Sequence, residues 1–369
     1  MAPPKRAGRG VTSRKRALYA ALLLAALLLC AWRLRARPRG GAALRRYFAR
    51  RNATVGDVLN SIEDLRLLDN SPIFSYVVQA LSATLTELGV RHSVHPDMPP
   101  DTAATYILLT THEAHVKLPG SYIAYNLEQL TTDKEWQGFV FDRYGAAVMV
   151  WDFSPANIAL LAARGVRALH VPLGYAPTIA RPLPEVAAKD VDVLFIGTLN
   201  ARRMQVLGGL SAGPGARAYA TLFSDHTRGD DLLLAYARSK LAVNIHYFGS
   251  GQLLEVHRVL PLLVHRVWVV SERSTDAWLD ESLAGIVDFA DREGIAAAVA
   301  AALARPDFGA EVEARLERFK ARCAYRDYVR RAMERRYVVP DGGGPAPLPA
   351  AAGAAAAAGA AAGAAAAAA

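Results

Sequence analysis

The stretch from Val191 to Arg203, reading VDVLFIGTLNARR, limits what this chain can fold into more than any other. A short apolar run rich in β-branched residues stops at Gly197 and gives way to helix-compatible sequence, which predicts a strand, a tight turn and a helix. In an open α/β sheet that junction binds anions. The helix N-terminus offers unpaired N–H groups and a partial positive charge, and a glycine there lets the backbone approach a phosphate. Gly197, Asn200, Arg202 and Arg203 all fall inside it. The competing reading is a surface turn that carries two arginines.

A chain of 369 residues, 52% hydrophobic, can bury one large core or two ordinary ones. Its formal charge of +9 is concentrated at one end, because residues 1–51 hold 14 Lys and Arg and no acid. The remainder carries 29 basic against 34 acidic residues, so a general nucleic-acid surface is not expected. The two cysteines, Cys30 and Cys323, give no intrachain disulfide, since Cys30 lies in an apolar run.

That run, residues 17–32, has no charge and follows a basic tail, 1–16. As a helix it spans roughly 24 Å, a little short of the ~27–30 Å hydrocarbon layer of internal membranes. Tyr19 and Trp32 stand near its ends as interfacial anchors. No small-x-small cleavage site follows, so an uncleaved signal anchor is favoured over a cleaved signal peptide. Flanking charge leans slightly against a type II orientation, but long domains translocate largely regardless of charge. Residues 33–53 read as a stem carrying the sequon Asn52-Ala53-Thr54, which has meaning only in a luminal body. The expected localisation is therefore a single-pass type II membrane protein of the Golgi or endoplasmic reticulum lumen. Residues 340–369, rich in Ala and Gly, read as a low-complexity tail.

Between these ends the sequence reads as two α/β halves. In 54–178, a helix is expected over 71–88, strands over 105–110, 121–125 and 146–150, and a helix over 155–164 capped by Ser154 with Pro155 at its first position. In 185–339, strands are expected at 191–196, 216–223, 241–246, 267–271 and 285–289. Helices at 230–239, 253–265 and 295–303, with one or two long amphipathic helices over 311–337, alternate with them, which implies right-handed crossovers and a parallel sheet. His112-Glu113-Ala114-His115 would place two histidines on one helical face, but Pro119 and Gly120 follow and no third ligand is evident. Polar lining of a cleft suits His112 better than zinc. Tyr125-Asn126-Leu127-Glu128-Gln129 follows a strand, and its carboxylate suits sugar hydroxyls or a general base.

These segments together carry a resemblance. Two Rossmann-like halves with a short linker and a terminal helix long enough to cross back resemble the GT-B architecture of glycosyltransferases. Tyr125 to Gln129, Trp151-Asp152-Phe153-Ser154 with Asn157, Pro172-Leu173-Gly174-Tyr175, the turn at Gly197 and Val243-Asn244-Ile245-His246-Tyr247 resemble a CgeB-like or family-1-type member. So do Glu255-Val256-His257-Arg258 and Val269-Val270-Ser271-Glu272. The resemblance implies a nucleoside-diphosphate sugar as co-substrate, no other cofactor, and a glycan, protein or lipid acceptor. It places Gly197, Asn200, Arg202, Arg203, His246, Glu255, Arg258 and Glu272 at the donor, with Glu128 and His112 as catalytic candidates. Pro261 occupies the position where related transferases keep a donor-binding glutamate, leaving Glu255 and Glu272 as substitutes. That departure also keeps open a membrane-anchored protein that binds nucleotide sugars or glycans without turnover. No Asp-x-Asp stands where a metal-dependent enzyme needs one, since Asp190-Val191-Asp192 opens a strand and Asp230-Asp231 starts a helix. Transfer without a bound metal is expected. An NAD-type oxidoreductase lacks its Gly-x-Gly-x-x-Gly.

Overall fold

The structure, a computed structural model, describes residues 41–49, 51–99, 103–130, 137–212, 219–224, 227–249 and 251–338. The apolar run 17–32, the tail before it and the tail from 340 lie outside the described residues. Among the described residues no helix is long and apolar enough to cross a membrane.

The first half is a six-stranded parallel sheet in the order β2-β1-β3-β4-β5-β6, formed by Leu65–Leu68, Ser93–His95, Thr105–Leu108, Tyr122–Asn126, Met149–Asp152 and Leu169–His170 numbered β1 to β6. The sequence pattern predicts only three of these strands. β1 is leucine-rich and interrupted by Arg66, β2 is short and largely exposed, and β6 has two residues, so none shows the β-branched runs that mark a strand. Helices α1 (Gly41–Ala49), α2 (Val55–Ser61), α3 (Ser75–Glu87), α4 (Gln137–Ala146) and α5 (Pro155–Ala163) complete this half. The Ser154 cap with Pro155 at the first position is present. Within the segment expected as a stem, α1 docks on the domain through buried Phe48 and the Arg45 hydrogen bonds to the carbonyls of Gly145 and Ala147.

The second half is a five-stranded parallel sheet in the order β11-β10-β9-β7-β8, where β7 is Val191–Ile196, β8 Thr221–Ser224, β9 Ser239–Asn244, β10 Trp268–Glu272 and β11 Asp288–Ala290. Its helices are α6 (Ala201–Ala212), α7 (Gly229–Arg238), α8 (Val256–Val264), α9 (Ala277–Ser282), α10 (Ile295–Leu303), α11 (Phe308–Arg322) and α12 (Tyr325–Met333). β7 is buried on both faces. Val193 and Phe195 join one apolar cluster and Leu194 the other, the signature of a parallel strand with helices on each side.

In both sheets the strand order reverses next to the first strand, β1 beside β3 and β7 beside β9. The carboxyl ends at such reversals form the crevices where open α/β sheets bind ligands. Two features hold the halves together. One apolar cluster runs from β1, β3 and β4 through α8 to β7, β9 and β10. The chain end also crosses back: α12 packs on α2 and α3, and Tyr337 donates to the Val148 carbonyl at 2.6 Å. The connection between halves threads beside this crossing at Gly174, where a Cβ would sit 2.2 Å from the Cys323 carbonyl oxygen, so only glycine fits.

Candidate functional site

The carboxyl ends of β7, β9 and β10 stand side by side and carry most of the charged residues expected at the donor. Gly197 ends β7 with a φ of 148°, a conformation glycine adopts readily, and a Cβ there would lie 3.1 Å from Nη2 of Arg258 and 3.4 Å from Nη1 of Arg203. Backbone and two guanidinium groups therefore meet at one point. Asn200 caps α6: its Oδ1 accepts the Arg203 N–H at 2.8 Å and its Nδ2 donates to the Tyr247 carbonyl at 2.8 Å. Both ends of that side chain are thus engaged.

The two adjacent arginines diverge, as neighbours on a helix must. Arg203 points inward, only 2% exposed, and donates to the carbonyls of Ile245 (2.9 Å) and Thr198 (2.8 Å). Arg202 points along the sheet edge, where it forms a bidentate pair with Glu272 and donates to the His246 carbonyl at 2.9 Å. Its Nε is buried with no acceptor among the described residues.

Glu255, the residue preceding α8, sits at the centre of this cluster. Its Oε2 accepts from Asn244 (2.9 Å) and from His246 Nδ1 (3.0 Å), and its Oε1 faces Arg203 (3.5 Å) and Arg258 (4.0 Å). Burial pushes the carboxyl pKa up, but His246, Arg258 and Asn244 outweigh it and hold it down to about 2. The two nitrogens of the His246 ring face the Glu255 carboxylate and the Arg273 carbonyl (2.9 Å), both acceptors, so the ring is an imidazolium. Burial opposes that charge, yet these partners raise the pKa above 6.5. Burial also draws the Arg203 guanidinium, crowded by Arg258, down to about 10. Four cations (Arg202, Arg203, Arg258 and His246) thus face two carboxylates, Glu255 and Glu272, and the site is positive by two charges.

Across the crevice, two asparagines from the first half fix the loop after β4. Asn126 accepts the Glu128 N–H (3.1 Å), and Asn126 and Asn157 both donate to the Glu128 carbonyl (2.9 and 2.8 Å). The Glu128 carboxylate then lies 3.9 Å from His112 Nε2. His115 is 79% exposed on its side chain and Glu113 bridges toward it at 3.1 Å, while residues 111–116 form turns instead of a helix, so the two histidines do not share a ligating face. Among the described residues no group of three or more His, Cys, Asp or Glu is placed to hold a metal ion. Asp190 and Asp192 lie at the opposite end of β7, paired with Arg238 and Lys240.

The two crevices face each other. Phe74 stands edge-on between the rings of His112 and His257, 6.2 and 6.3 Å from each. Gln129 exchanges two hydrogen bonds with the backbone of Leu253, both 3.1 Å. Asp276 caps α9 and also receives the Ser154 hydroxyl and the Ala156 N–H. Pro261 takes part as well. Lacking an N–H, it leaves the His257 carbonyl without its partner in α8, and Tyr76 of α3 donates its hydroxyl there at 2.9 Å. Neither Phe74 nor Tyr76 is recognisable from sequence, since both read as ordinary apolar positions of an amphipathic helix.

No protein-family profile and no curated protein matches the chain. Among solved structures it is similar to WaaG, a glycosyltransferase involved in lipopolysaccharide biosynthesis, at 10% identity over 73% of this chain and 98% of that one, with a TM-score of 0.45. It is similar at 10% identity to Anabaena HepE in complex with UDP-glucose, over 73% of this chain and 98% of that one, with a TM-score of 0.48. TarM gives 10% identity and a TM-score of 0.45 over 70% of this chain, which spans 57% of TarM. Each activity belongs to the protein named.

The Tyr76–Pro261 relation gives a double-mutant test. Tyr76→Phe strands a buried carbonyl and should cost about 1–3 kcal/mol in denaturant unfolding. In a Pro261→Ala background, where the helix regains its N–H donor, the same substitution should cost clearly less; equal costs would show that the tyrosine does not serve that carbonyl. His246 gives a pH test. Its raised folded value means its stabilisation is complete below the unfolded pKa of 6.5 and disappears as pH climbs through the folded pKa. The stability gap between the parent and His246→Gln should therefore be widest below pH 6.5 and narrow above it. A gap independent of pH would refute the imidazolium.

Proposed function

We propose that this chain is a glycosyltransferase that moves a sugar from a nucleoside-diphosphate sugar to an acceptor held on the first half. Arginines, in place of a bound metal ion, neutralise the departing diphosphate. The observation that carries the reading is the facing of two strand-reversal crevices, one with Gly197 beneath Arg258 and Arg203 in a surplus of positive charge, the other with His112 beside Glu128. The donor diphosphate rests against the Gly197 backbone. As the glycosidic carbon–oxygen bond breaks, its electron pair stays with the phosphate oxygen, and Arg258 meets the growing charge. The attacking hydroxyl passes its proton to the His112–Glu128 pair.

Glu255 and Glu272 are both spent on internal cations, and this favours the second reading, binding without turnover. Calorimetry with UDP and other nucleoside diphosphates, followed by donor hydrolysis, separates the two. Arg258→Ala should weaken diphosphate affinity by about 10- to 150-fold, the equivalent of about 1.5–3 kcal/mol, with Arg258→Lys recovering part of it. His112→Ala should keep the affinity and lose turnover, and turnover should persist in EDTA. If no nucleoside diphosphate binds the parent, the transferase reading and the nucleotide-sugar branch of the second both fail; binding with no turnover leaves the second.

We further propose that residues 17–32 anchor the protein with its body in the Golgi or endoplasmic reticulum lumen. The uncharged run and the exposure of Asn52 in the turn before α2 support this. Endoglycosidase should increase gel mobility of the parent and leave Asn52→Gln unchanged; a parent that does not shift removes the support of the sequon.

A further inference from the structure

Beside β6, the edge strand of the first sheet, the described residues line an open cavity of about 890 Å³. Both halves build it. His170 ends β6 in the first half, whereas Trp278 on α9 and Arg322 at the end of α11 belong to the second. Besides the residues flanking His170, the rest of the wall comes from α12 and the residues after it, including Tyr328, Arg331, Arg335 and Arg336.

Its charge is one-sided. Four arginines line it against one acid, Glu334, which is engaged by Arg330 at 2.9 Å. His170 adds nothing to either side at neutral pH, because burial lowers its pKa. Two of the arginines are positioned from below. Arg322 donates to the Ala284 and Ser282 carbonyls (2.7 and 3.1 Å), and Arg331 donates to the Asp327 carbonyl (3.2 Å) with its guanidinium 5.0 Å above the Tyr328 ring. Arg335 and Arg336 are exposed, and no side-chain partner meets either among the described residues. Such a concentration of cations repels itself, a cost that a bound anion removes. The cavity also has a flat apolar wall: the Trp278 ring is half-buried and braced edge-on by His170 at 4.3 Å and by Tyr328 at 6.4 Å.

We infer that this cavity is a second ligand site, outside the donor crevice, for a phosphomonoester carried on a ring-shaped body. Arginine forks match phosphate oxygens two at a time, and an indole face accepts a sugar or other ring. The inference stands independently of the glycosyltransferase reading, since none of these residues takes part in it. It has a mechanical consequence. Trp278 lies two residues from Asp276, whose carboxylate holds Ser154 across the halves, so an occupant spanning His170 and Trp278 fastens the same junction.

The phosphate could belong to a free metabolite or to a lipid headgroup, and the experiment separates these sources. The full chain is titrated with glucose monophosphate, with inorganic phosphate and with glucose, and is floated with phosphatidylcholine vesicles with and without phosphatidylinositol monophosphate. Glucose monophosphate should bind and raise the melting temperature, while glucose does neither. The double variant Arg335→Ala/Arg336→Ala should lose roughly tenfold or more of that affinity while keeping the parent's circular dichroism and ligand-free melting temperature, which shows that it is folded. Trp278→Leu should weaken the ester more than inorganic phosphate, and Arg258→Ala should leave ester binding unchanged. Flotation that needs the phosphoinositide and is lost in the double variant, with no binding of the soluble ester, places the phosphate on a lipid. A double variant that matches the parent toward both ester and vesicles overturns the site. So does ester binding that Arg258→Ala abolishes, because the ester then occupies the donor crevice.

Discussion

The buried cations beside Gly197 at the donor crevice depend on the Glu255 carboxylate. It stands at the start of α8, where the helix dipole favours a negative group, and touches or faces His246, Asn244, Arg203 and Arg258. Without it, Arg203 and the His246 imidazolium would be buried beside other cations with no counter-charge, and an unpaired buried charge costs far more than the pair contributes. The carboxylate therefore does not itself offer a free acceptor to a ligand. It makes possible a cluster of cations whose positions are settled before anything binds, and positioning cations in advance is the condition under which electrostatic stabilisation is strongest.

The same helix ties that cluster to the first half. α8 begins at the charge cluster, and Pro261, one turn further along, releases the His257 carbonyl to Tyr76. A proline inside a helix ordinarily wastes an acceptor; here the wasted acceptor becomes a contact between halves. Gln129 binds Leu253 just before α8, and Glu128, its neighbour, faces His112. The acceptor-side pair and the donor-side cations are thus held in register by short-range contacts that flank both.

Much of this was legible in the sequence because it follows from periodicity and from residues with narrow conformational meaning. The β7 run, Gly197 and the α5 start with Ser154 and Pro155 declare themselves locally, and the alternation after residue 185 is regular enough to give the parallel sheet. β1, β2 and β6 are not legible, since leucine runs and two-residue strands are made strands by their neighbours and not by propensity. The hold of Asn157 on the Glu128 carbonyl, and of Tyr76 on the His257 carbonyl that Pro261 frees 181 residues further along the chain, are long-range pairings. No pattern within a single segment encodes them.

The charge count limits which residue can accelerate bond breaking. A diphosphate diester carries about two negative charges and the released nucleoside diphosphate about three at neutral pH. The two-charge surplus of the crevice therefore balances the bound donor, and only what grows during departure adds to the rate. Arg203 is committed to the Ile245 and Thr198 carbonyls and Arg202 to Glu272, so neither can change partners without exposing a buried charge. Arg258 is different. It is 18% exposed, keeps one hydrogen bond, to Asn244 at 3.0 Å, stands 4.0 Å from Glu255, and turns Nη2 toward Gly197. It is the cation with donors to spare at the point where the phosphate rests, so the interaction that strengthens between bound donor and departing diphosphate falls to Arg258, while the buried arginines keep the cradle in shape.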